Sequence, residues 1–71
     1  MRISTRPGML GNAPALFAYR LRERSQSIGE AHQTKSGFWI VSYGRNSPQD
    51  VARTMDEAED MLHKFYEPFD Y

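Results

Sequence analysis

Cysteine is absent from the 71 residues, and with it every disulfide and every zinc–thiolate staple. No apolar run approaches the roughly 20 residues that a membrane span needs; the longest is Phe38-Trp39-Ile40-Val41. Arg2 and Arg6 stand near the N-terminus without an apolar stretch after them, which is not the pattern of a secretory signal. The motifs of enzyme chemistry are missing too: no glycine-rich phosphate loop, no G-x-S-x-G and no H-E-x-x-H. His32 falls on an expected strand and His63 on the solvent side of an expected helix. Glu59 and His63 are four residues apart and could share a metal, but no further ligands accompany them, so an ordinary surface pair is the reading. These absences predict a cytoplasmic, non-enzymatic protein with no membrane association, metal or cofactor.

What is present is one domain's worth of chain. So short a sequence buries only about 60% of its unfolded surface, which predicts a stability of roughly 3–5 kcal/mol. The net charge is zero but unevenly placed. Residues 1–36 hold six Lys or Arg against two acids, a balance of +4, and residues 37–71 hold three against seven, a balance of −4. Such a dipole can orient a charged partner, or can reflect two elements that attract each other.

Residues 1–15 contain Pro7, Gly8, Gly11, Asn12 and Pro14 without an apolar period, and are expected to be a flexible arm. The arm is either a loosely ordered tail or a segment that orders on a partner through Arg2 and Arg6. A first strand is expected over Leu16 to Arg24. Alternation puts Phe17, Tyr19, Leu21 and Glu23 on one face and Ala18, Arg20, Arg22 and Arg24 on the other. A turn at Ser25-Gln26-Ser27 leads to a weaker strand from Ile28 to Thr34. After a second turn at Lys35-Ser36-Gly37, with Gly37 free to take a positive φ, comes the strand Phe38 to Tyr43. It is apolar on both sides, with Phe38 and Ile40 opposite Trp39, Val41 and Tyr43. A central strand covered by a helix on one face follows from that pattern, with the other face either covered by the arm or left open. Gly44 to Asp50 reads as a loop, and Val51 to Arg53 as a short edge strand.

The helix signal begins at Thr54-Met55-Asp56-Glu57, which fits a capping box. Acids in the first turn and His63 and Lys64 in the last suit the helix dipole, and Met55, Ala58, Met61, Leu62, Phe65 and Tyr66 follow the helical period. Pro68 ends it. The fold class is therefore α+β: a three- or four-stranded antiparallel sheet packed by one C-terminal helix, over residues 16–71. Phe69 and Tyr71 read as core closure or as anchors for a partner.

Arg20, Arg22 and Arg24 on alternating positions of one strand would lie about 7 Å apart on one sheet face. They are either a solvated face or a contact surface. With Trp39, Tyr43 and Arg45 beside them they would form the arginine–aromatic mixture enriched at binding hot spots. The acids Asp56, Glu57, Glu59 and Asp60 read as a solubilising face, or as one that mimics nucleic acid or docks a basic groove.

Phe38-Trp39, Ala52-x-Thr54-Met55-Asp56-Glu57-Ala58 and Tyr66-x-Pro68 together resemble the small bacteriophage inhibitors of bacterial RNA polymerase of the T7 type. Those proteins have a Phe-Trp strand, a Thr-Leu-Asp-Glu-Ala helix start and a Tyr-x-Pro helix end. The resemblance covers the last half of the chain and implies a three-stranded antiparallel sheet with one helix. It also implies a protein partner, RNA polymerase or another host machine such as a bacterial defence complex. In that family an arginine-bearing strand after the helix contacts the polymerase; here the equivalent surface is expected from Arg20, Arg22 and Arg24. The expectation is thus a monomeric protein-binding module whose contacts are Arg20, Arg22, Arg24, Trp39, Tyr43, Arg45, Arg2 and Arg6. The alternative is direct DNA or RNA binding, against which the zero net charge argues.

Overall fold

A hairpin opens the chain: β1 (Ile3–Leu10) turns at Gly11-Asn12 and returns as β2 (Ala13–Arg20). It belongs to a computed structural model that describes residues 2–44 and 48–68. Where an arm is expected over residues 1–15, the structure has a strand, because each supposed breaker sits where a ribbon tolerates it. Gly11 takes φ 63° in the two-residue turn closed by Leu10 and Ala13, a left-handed conformation glycine enters without steric cost. Pro7 lies in an edge strand, where a missing amide need break no ladder bond. Pro14 precedes the β2–β3 register, which starts at Ala15↔His32. Gly8 lies under the Phe17 ring; a Cβ there would be 2.9 Å from Phe17 Cε2.

The hairpin also fixes where β2 stops. Its register runs from Leu10↔Ala13 to Ile3↔Arg20, so beyond Arg20 the chain has no β1 partner. β3 (Gly29–Gln33) pairs with β2 only as far as Ala18↔Gly29. Residues 21–28 are consequently a loop, and the strand expected over Leu16 to Arg24 is displaced toward the N-terminus. β4 (Trp39–Ser42) falls inside the expected third strand, after a turn in which Gly37 has φ 96°. β5 (Gln49–Ala52) is the expected edge strand, begun two residues early. The sheet is five-stranded and antiparallel, in the order β1-β2-β3-β4-β5. The fold is α+β, with two strands more than the minimum read from the sequence.

The helix α1 (Met55–Tyr66) starts as expected, with Thr54 extended and its Oγ1 accepting the Glu57 amide at 3.1 Å. It buries Ala58, Leu62 and Tyr66 against Leu16, Ala18, Ala31, Trp39, Val41, Tyr43, Ala52 and Ile3. Small residues decide which side of β2 faces it. Ala18, Ala31, Ala52 and Ala58 are fully buried, and Gly29 lies so close under α1 that an added Cβ would be 2.6 Å from Tyr66 Oη. A helix that approaches this closely leaves no room for Phe17 and Tyr19. They occupy the opposite face, the reverse of the expected arrangement, since one step along a strand exchanges faces.

Two tyrosines bolt the helix to the sheet. Tyr43 stacks on Phe65 with centroids 4.2 Å apart and donates to Asp50 Oδ2 at 2.7 Å. Tyr66 Oη directs its hydrogen at the carbonyls of Ile28 and Tyr43, each at 2.7 Å. Burial pushes the Tyr43 phenol up, helped by its hydrogen bond to Asp50 and that carboxylate's charge. Burial pushes Tyr66 up as well. A raised phenol favours the neutral folded form, so this contribution is complete below the unfolded value of about 10 and is lost as pH rises through the folded values. Thermal melts are therefore expected to hold steady up to about pH 10 and to fall steeply beyond it. Tyr43→Phe should shallow that decline; a melting temperature flat to about pH 12 would refute the linkage.

Candidate functional site

Two expected contact residues belong to the core instead. Trp39 is 5% and Tyr43 8% exposed, because β4 turns Trp39, Val41 and Tyr43 toward α1 and leaves Ile40 on the other face. Arg45 lies outside the described residues, as do Phe69 and Tyr71. The three arginines of the expected strand do not form a row on one face: Arg20 ends β2, while Arg22 and Arg24 stand exposed on the loop after it. The strand geometry that would have aligned them ends with β1's pairing.

Arg20 nevertheless stands at the end of β2 where a groove opens, and Arg22 and Arg24 follow on the loop that leaves it. Arg20 is opposite Ile3, so Arg2 lies beside the end of β2. An open groove of about 450 Å³ there is lined by Arg2, Ile3, Leu21, His63 and Glu67. Leu21 is 41% exposed and gives this basic end an apolar step. The loop is held by short local bonds: the Glu23 amide donates to Arg20 O at 3.3 Å and Arg24 Nε to Leu21 O at 3.2 Å. Glu23 accepts from both the hydroxyl and the amide of Ser25, and those bonds, with nearby Arg20, hold its carboxyl below the usual range. The last turn of α1 carries His63 and Lys64, and His63 lines the same groove.

The acidic face of the helix has structural partners. Glu59 accepts from Thr5 Oγ1, tying β1 to α1. Asp60 pairs with Lys64 at 3.0 Å, an exposed i,i+4 bridge of small energetic value. Asp56 and Glu57 occupy the first turn, where the dipole favours acids.

Sequence reasoning expected an outward sheet face but assigned Arg20, Arg22, Arg24, Trp39 and Tyr43 to it; the face away from α1 carries other residues. The register places Arg6, Phe17, Glu30, Ser42 and Gln49 in one row across it, and Gly8, Ala15, His32, Ile40 and Val51 in the next. Tyr19 lies opposite Ser4 and Leu10 opposite Ala13. Among the described residues no helix covers this face; Val51 is 57% and Leu10 42% exposed, while Ala15 in its middle is 1% exposed. The available signal was the alternation in β2 itself, which separates Leu16 and Ala18 from Phe17 and Tyr19; bulk was the wrong guide to which pair faces inward.

No known protein family, curated protein or solved structure matches this chain. Among the described residues no helix is long and apolar enough to cross a membrane.

Proposed function

We propose that the chain is a non-enzymatic protein-binding module whose basic end docks on an acidic protein surface. The observation that carries this reading is the open groove lined by Arg2, Ile3, Leu21, His63 and Glu67 at the end of β2, with Arg20 closing that strand opposite Ile3 and Arg22 and Arg24 exposed on the loop that follows. Arginines beside a partly apolar step are the composition of interface hot spots, and a charged end on a neutral molecule speeds encounter with an oppositely charged patch. The resemblance of the C-terminal half to phage inhibitors makes bacterial RNA polymerase the first partner to test and a bacterial defence complex the second. In this reading the protein is phage-type, works in the host cytoplasm, and inhibits or modulates the machine it binds.

The test is direct binding of the purified chain to purified bacterial RNA polymerase. Arg22 and Arg24 are exposed loop residues, so Arg22→Ala/Arg24→Ala should leave the melting curve unchanged and weaken binding by about 10- to 100-fold, the loss of one or two hot-spot side chains. Unchanged affinity in that variant would remove the assignment. Tight DNA or RNA binding with a steep salt dependence would give the basic end to nucleic acid instead.

A further inference from the structure

We infer that the uncovered face of the sheet is the interface of a homodimer, two copies packed face to face about a two-fold axis running along β2. Its own arrangement of charge says what should cover it. Along β2 this face carries Ala13, Ala15, Phe17 and Tyr19, without a charge among them. Immediately either side of Phe17 stand Arg6 on β1 and Glu30 on β3. Among the described residues neither has an ion-pair partner, and strand spacing separates their backbones by about 10 Å.

This order of cation, aromatic and anion is self-complementary under one operation only. Turning a second copy about an axis parallel to β2 sets its β1 over the first copy's β3, so Arg6 of each copy meets Glu30 of the other. An axis across the strands along this row would instead set Arg6 on Arg6, a juxtaposition that interfaces avoid. The uncharged column of β2 then forms the dry centre and the two ion pairs its rim, the usual layering of a specific interface. The Phe17 ring packs against Gly8, where an added Cβ would be 2.9 Å from Cε2.

The area is sufficient for a weak dimer. Three overlapping strands about 14 Å wide and about 20 Å long give a flat footprint of about 300 Å² per copy. Counted over both copies this is about 600 Å² before side-chain relief, short of the roughly 1,000 Å² of a stable specific interface and in the range of weak, transient ones. A weak, concentration-dependent dimer is expected in place of the monomer read from the sequence. The strand-parallel axis also brings both basic ends to the same side of the dimer. A partner with two acidic patches would then gain avidity, although the interface does not depend on the basic end.

Sedimentation of the wild-type chain from about 1 to 500 µM should show a concentration-dependent dimer that weakens with salt. Arg6→Glu and Glu30→Arg should each weaken dimerisation at least tenfold while keeping the wild-type melting curve at low concentration. An equimolar mixture of the two restores both rim pairs and should dimerise again, which no folding defect could imitate. Val51→Asp, on the same face but outside the overlap, should leave dimerisation intact, as should Arg22→Ala/Arg24→Ala. A wild type monomeric throughout, a mixture that stays monomeric, or a dimer lost with Val51→Asp would each overturn the inference.

Discussion

Leu62→Ala is expected to remove most of the stability of this domain. Leu62 is fully buried at the centre of the helix stripe, between Ala58 and Tyr66. Removing its side chain loses transfer free energy and leaves a cavity, together worth about 3–5 kcal/mol at a site that cannot collapse. Collapse is poor here because Gly29, where an added Cβ would be 3.4 Å from Leu62 Cδ2, and the core neighbours Ala18 and Ala31 are small and belong to backbone fixed by the sheet. A total stability of roughly 3–5 kcal/mol would fall to between about −2 and 2 kcal/mol, centred on zero, where about half of the molecules are unfolded at room temperature. Urea unfolding followed by circular dichroism measures this. Met9→Ala, at a side chain 60% exposed, is the control and should move the midpoint by less than about 0.5 kcal/mol. A loss under about 1 kcal/mol for Leu62→Ala would mean that the helix is not seated as described.

That dependence on one small-residue seat explains which parts of the fold were legible. The helix was readable because capping, dipole, period and terminator all act within one segment: Thr54, Asp56 and Glu57, His63 and Lys64, and Pro68 agree. Strand β4 was readable from its apolar run for the same local reason. The hairpin was not, since Pro7, Gly8, Gly11 and Pro14 each oppose a strand taken singly, and only their positions relative to the turn and to β3 make them compatible with one. Nor was the orientation of β2. Both of its sides are apolar, and the choice between them is made by how closely α1 approaches, a property of Gly29, Ala31 and Ala52 on other strands. The candidate site inherits both errors. Arginines read as a row on one face are divided between the end of β2 and the loop after it, because β2 stops where its pairing with β1 ends. Trp39 and Tyr43 went inward, because the helix covers their side of β4 and not that of Ile40.

Gly29 is the residue where packing and the basic end meet, and Gly29→Ala is expected to destabilise by about 2–3 kcal/mol, as overpacking does. The added Cβ would lie 2.6 Å from Tyr66 Oη and 3.1 Å from Ser42 O. The second contact is with backbone, so Tyr66 must give way. Its hydroxyl is the group directed at the carbonyls of Ile28 and Tyr43, and movement breaks those contacts. Tyr66→Phe alone should lose about 1–2 kcal/mol by leaving these acceptors without their donor. In the double variant the closest clash has no hydroxyl to meet, so the combined loss should fall short of the sum by about 1 kcal/mol or more. Strict additivity would show that Tyr66 Oη does not occupy this position. Ile28 is also the last residue of the loop bearing Arg22 and Arg24, and its amide donates to Ala18 O at 2.8 Å. Tyr66→Phe should therefore speed hydrogen exchange of the Ile28 amide and its neighbours, while the amides of β4 keep their protection. Equal acceleration in both places would instead mean that the hydroxyl supports the whole sheet, and that the loop is positioned by its own short-range bonds.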